Sequence, residues 1–158
     1  MPQQIQVGAP VQFVDPTGYA RQLQQQFIAT KYAPVTLNSA SGTNPQTVLT
    51  VPAGSYVFIT GIQITIDPIC TTGSGGMVNI TLTDSVDGTI ATLRAYIPAS
   101  ATAPTVATVI RQTSAPGNFW ASDTQATTIT ASISTALTAG SVRISFNYGY
   151  STVPIGNQ

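Results

Sequence analysis

The sequence predicts an all-β fold: an antiparallel β-sandwich, jelly-roll-like, with an extended N-terminal arm. Three observations carry this. Apolar and polar residues alternate in run after run from Tyr32 onward. Turn signals built on Gly, Pro and Asp separate the runs at intervals of about 8–12 residues, the spacing of an all-β sandwich or barrel. The crossover helices that a parallel sheet needs are missing. Seven strands are plain, and an eighth near Thr30 to Thr36 brings the count to that of a jelly roll rather than an immunoglobulin-like sandwich.

Residues 1–33 read as an arm and residues 34–158 as the sandwich. The arm is Gln-rich, carries Pro2, Pro10 and Pro16, and lacks strand alternation. One short helix fits inside it, with Asp15 as N-cap, Pro16 at the first helical position, and Tyr19, Leu23 and Phe27 on one stripe. In the stretch Thr47 to Asp67, two β-rich runs flank Val51-Pro52-Ala53-Gly54, which reads as the turn of a central hairpin. Ile62, Ile64 and Ile66 alternate with Gln63, Thr65 and Asp67, so one face meets the core. Upstream both faces are apolar, and Gly61 is expected to mark a bend where inward and outward exchange.

Thr71 to Gly76 reads as a flexible loop, and Val78, Ile80 and Leu82 then form one face of a clear strand. Asp84-Ser85-Val86-Asp87-Gly88 is a hairpin turn into Ile90 to Ile97, with Ala91, Leu93, Ala95 and Ile97 on one face. Val106 to Arg111 is a shorter strand. Thr113 to Ala121 is a loop whose Phe119 and Trp120 either plug the core or face a partner. Thr127 to Ser134 alternates again. After the Ala139-Gly140 turn, Val142, Ile144, Phe146, Tyr148 and Tyr150 point inward along the last strand.

The composition is unusual in one respect. Of the 158 residues only 6% are charged, against about 25% in an ordinary soluble domain. Five basic and five acidic residues cancel to a net charge of zero, which favours association over life as a dilute monomer. With 42% hydrophobic residues the chain lacks the signature of disorder. The N-terminal stretch has no basic cluster followed by an apolar core, so no secretory signal is expected, and no run approaches a membrane span. Cys70, the single cysteine, reads as a small hydrophobe near a loop.

The chain has no histidine, so Ser-His-Asp and Cys-His catalysis are out of reach, and no enzymatic activity or cofactor is expected. Asp84 and Asp87 are the nearest carboxylate pair and a weak candidate for a calcium ion, although Asp and Gly belong in such a turn for backbone reasons alone. The basic residues Arg21, Lys31, Arg94, Arg111 and Arg143 are scattered, and no footprint for nucleic acid appears. What remains is surface. Thr, Ser, Gln and Asn on outward faces can bond a neighbour without the desolvation cost of a buried charge.

Thr50-Val51-Pro52-Ala53-Gly54 before a long strand, Leu137-Thr138-Ala139-Gly140-Ser141-Val142 before the last one, and the Gln-rich arm together give the chain its resemblance. It resembles the small jelly-roll or sandwich proteins of virus particles, especially the decoration (cement) and minor capsid proteins of bacteriophage heads. The resemblance implies a homotrimer or other homo-oligomer on the capsid surface, made in the host cytoplasm and partnered by the major capsid protein or other virion subunits. No contact with nucleic acid or membrane is expected, from the scattered charges and the lack of an apolar span. Ile5, Val7, Val11, Phe13, Tyr19, Leu23, Phe119 and Trp120 are the interface residues expected on this reading. The alternatives are a single-jelly-roll capsid subunit, a tail or fibre subunit, and a lectin-like module holding a sugar or receptor at Phe119 and Trp120.

Overall fold

The computed structural model describes residues 31–100, 108–113 and 120–154. In chain order the strands are β1 (Lys31–Asn38), β2 (Gln46–Thr50), β3 (Tyr56–Ile66), β4 (Thr71–Thr72), β5 (Gly76–Asp84), β6 (Gly88–Ile97), β7 (Thr108–Thr113), β8 (Trp120–Ala121), β9 (Thr128–Ile133), β10 (Leu137–Ala139) and β11 (Ser141–Ser151). One sheet runs β1-β11-β3-β7, with β8 also paired to β3, and the other runs β2-β9-β5-β6. All pairings are antiparallel. Among the eight longer strands, every connection crosses from one sheet to the other except the β5–β6 hairpin. That is the jelly-roll order. The first strand already begins at Lys31, inside the last residues assigned above to the arm; the rest of the arm and its candidate helix lie outside the described residues.

The two sheets share one core. Leu37, Ile62, Ile64, Ile66, Val142, Ile144 and Phe146 come from the first sheet, and Val78, Ile80, Leu82, Ile129 and Ile133 from the second. These are the inward positions of the alternating runs, and burying each such side chain contributes about 1.5–3 kcal/mol relative to exposure. Tyr148 and Tyr150 pack against the same cluster from the end of β11, as the alternation predicts.

Strand β3 changes faces where its glycine sits. Asn147 stands opposite Gly61 and Tyr148 opposite Ile59, which leaves Thr60 as the extra residue of a bulge. Val57 and Ile59 therefore face the core before the bulge, and Ile62, Ile64 and Ile66 after it. Phe58 points the other way and is still fully buried, because its ring lies over Gly149, where a Cβ would collide with it.

Two expectations are corrected. The Val51-Pro52-Ala53-Gly54 turn does not make a hairpin: β2 pairs with β9 while β3 pairs with β11, so this turn carries the chain between sheets. The local chemistry is as read, with Gly54 at φ 76° and the Ser55 amide donating to the Pro52 carbonyl at 3.2 Å. A turn sets a reversal of direction, and tertiary packing sets the strand that receives it. Thr71 and Thr72, assigned to a loop, are buried and form a small ribbon with β10, joined by a 2.8 Å hydrogen bond between the Thr71 and Thr138 hydroxyls.

Sheet edges invite strand addition from other chains, and three of them are blunted here. Pro34 removes an amide donor from the edge strand β1. On β2 the extra residue Val48 makes a bulge, and on β6 Ile90 does the same.

Candidate functional site

The outer face of the β2-β9-β5-β6 sheet is a threonine grid. Thr47, Thr130, Thr83 and Thr89 stand in register across all four strands, and Ser132, Thr81 and Thr92 form the next row. The period of two puts them there: Thr81 lies between Ile80 and Leu82, Thr130 between Ile129 and Ala131, and Ser132 between Ala131 and Ile133, all core residues. The Thr81 and Thr92 hydroxyls lie 3.4 Å apart. Arg94 is the one charged side chain on this face among the described residues, and the exposed Met77 and Tyr96 pair directly at its end. The face carries little charge and is rich in groups that both donate and accept.

A second feature lies on the outer face of the other sheet. Tyr32, Asn147 and Gly61 form one row across β1, β11 and β3, and Ser145 and Gln63 form part of the next. A groove of about 330 Å³ opens there, lined by Tyr32, Gly61, Gln63, Ser145 and Asn147 and by Ile62 and Phe146, whose side chains face the core. The Gln63 amide donates to the Thr65 hydroxyl at 3.4 Å, and the Ser145 hydroxyl donates to the Gln63 carbonyl at 3.4 Å. The Asn147 amide and the half-exposed Tyr32 hydroxyl have no hydrogen-bond partner among the described residues. The sequence hides this groove, since its residues come from three strands and each looks like a solvent-facing position. The one visible signal is Tyr32, an aromatic residue out of phase with Ala33 and Leu37 on its strand.

The Asp84–Asp87 segment is a hairpin turn whose carboxylates serve the backbone. Asp84 Oδ1 accepts from the amides of Val86 and Asp87 at 2.8 and 3.0 Å. Asp87 accepts from the Asp123 amide at 2.8 Å and the Thr124 hydroxyl at 2.9 Å, tying this turn to the segment before β9. The described residues contain no group of three His, Cys, Asp or Glu side chains placed to hold a metal ion. Asp84 Oδ2 and Thr127 Oγ1 are buried without a hydrogen-bond partner among the described residues.

Trp120, the described member of the aromatic pair, pairs with Ile59 and packs half-buried against the core. Ile5, Val7, Val11, Phe13, Tyr19, Leu23 and Phe119 lie outside the described residues. At the far end of β11 the rings of Phe146, Tyr148 and Tyr150 stack edge to face at 5.8 and 5.4 Å, and the Lys31 ammonium sits 4.3 Å above the Tyr150 ring. No helix of the described residues is long and apolar enough to cross a membrane.

Two groups are held neutral by the fold. Burial, and then the Asp67 carboxylate, push the Cys70 thiol up to about 11, and burial, helped by Tyr148, pushes the Tyr150 hydroxyl up to about 12. In the unfolded chain they ionise from about pH 9 and pH 10. The stability they contribute is therefore intact below pH 9 and lost as the pH rises through 11 and 12. The expected result is a thermal midpoint that falls steadily above pH 9, with a Cys70 thiol that resists a thiol reagent at pH 8 until the protein is unfolded. Rapid modification at pH 8, or a flat midpoint up to pH 12, would contradict it. Compared with protein-family models, curated proteins and solved structures, the chain finds no match.

Proposed function

We propose that the protein is a non-enzymatic structural component of a virion, an oligomer that decorates or cements the icosahedral head of a bacteriophage by binding its major capsid protein. The observation that carries this reading is the threonine grid, a hydroxyl-rich face spanning four strands with a single charged side chain. A permanent interface buries its polar groups for good. Hydroxyls meet that condition because each finds partners on the opposing surface, whereas unpaired charges would pay a large desolvation cost. The blunted edges support the same reading, since copies that meet through faces assemble without runaway strand addition. The arm over residues 1–33 has the role of a clasp in this proposal, as the resemblance implies.

The test uses particles that lack the protein. Wild-type protein should be oligomeric by light scattering at micromolar concentration and should fill the particles in many copies, with occupancy changing little between low and moderate salt because the face carries a single charged side chain, Arg94. Thr92→Lys places a charge on the exposed part of the grid and should abolish filling while changing stability by less than about 0.5 kcal/mol. A monomer, or a Thr92→Lys protein that fills particles like the wild type, would sink the proposal.

A further inference from the structure

We infer that the groove at Gly61 is a binding site for one ring of a neutral saccharide. The lining decides the chemistry. Among the described side chains the lining, Tyr32, Gly61, Gln63, Ser145 and Asn147, includes no charged group. It does include two amides and two hydroxyls, which donate and accept in the mixture that sugar hydroxyls require. The Gln63 amide is steadied by Thr65, and its carbonyl oxygen stays available as an acceptor. The Asn147 amide brings unpaired donors and an acceptor to the same row.

Tyr32 supplies the remaining element. It is 53% exposed on an edge strand and lines the groove beside its polar groups. An aromatic ring of this kind holds the C–H face of a sugar while its hydroxyl bonds at the rim. Gly61 adds no side chain to the row it shares with Asn147 and Tyr32. At about 330 Å³ the groove falls at the small end of ligand sites, which suits a single ring rather than an extended polymer. The site lies on the opposite sheet from the threonine grid, so it stands or falls independently of the proposed function.

The experiment is a titration of isotope-labelled full-length protein with the methyl glycosides of glucose, galactose, mannose and N-acetylglucosamine, each taken to ~50 mM, where sites with millimolar dissociation constants saturate. The expected result is a set of amide shifts confined to Tyr32, Gly61, Gln63 and Asn147 for at least one sugar. Tyr32→Ala and Asn147→Ala, both at exposed positions, should each weaken binding about tenfold or more with an unchanged thermal midpoint. Absence of shifts with all four probes would overturn the inference. So would shifts that persist at equal affinity in both variants.

Discussion

Replacing Phe146 by alanine should lower the stability by about 3–5 kcal/mol, the cost of removing a large buried aromatic side chain and leaving a cavity. Phe146 is 1% exposed at the middle of β11. Its neighbours in register are Ala33 on β1 and Ile62 on β3, so the ring is enclosed from both sides of the strand and touches Tyr148 edge-on at its end. Ala33 is too small to move in and fill the space, and Ile62 is held by its own place in the ladder. Urea unfolding monitored by circular dichroism gives the number directly. A loss below about 1 kcal/mol would be incompatible with an inward Phe146.

Gly140→Ala should cost about 3 kcal/mol or more, although it adds one methyl group. Gly140 has φ 69°, a left-handed conformation that costs an L-residue roughly 1–2 kcal/mol. The added Cβ would also lie 2.6 Å from the Cys70 Cα and 2.7 Å from its amide nitrogen. Those are backbone atoms, so no side chain can swing aside, and the β10–β11 corner must part from the segment after β3; overpacking of this kind adds about 1–3 kcal/mol. Gly42→Ala is the control. It has the same sign of φ, at 57°, with nothing within 4 Å of its Cβ, and should show the conformational cost alone. Equal losses at the two glycines would mean the corner is loose.

Alternation made the inward faces of β5, β6, β9 and β11 legible, because a period of two survives in any antiparallel sandwich. The bend near Gly61 was legible as a change of pattern, yet the parity upstream of it was not: Val57 rather than Phe58 meets the core, and only the pairing of Asn147 and Tyr148 reveals that Thr60 is the extra residue. Thr71 and Thr72 escaped notice because two residues carry no period. The partner of a turn escaped for another reason. Proline and glycine at Pro52 and Gly54 act over four residues, whereas the choice of β9 for β2 and of β11 for β3 depends on how the whole core closes. The groove was the least legible feature, since Tyr32, Gly61 and Asn147 meet only once three strands distant in sequence are paired.

The place of β11 has a consequence for the order in which this chain can fold. Strand β11 lies between β1 and β3, pairing Lys31 with Tyr148 and Ile64 with Ile144, so β1 finds its partner only after β11 has left the ribosome. Until then β1 and β3 have a missing neighbour, and the nascent chain can complete the β2-β9-β5-β6 sheet but not the first sheet. Pairings so distant in sequence carry a large loop-closure cost and put folding on the millisecond-to-second scale. The first sheet therefore closes only once β11 is available, and a chain cut short before Ser141 loses the centre of a sheet rather than its rim.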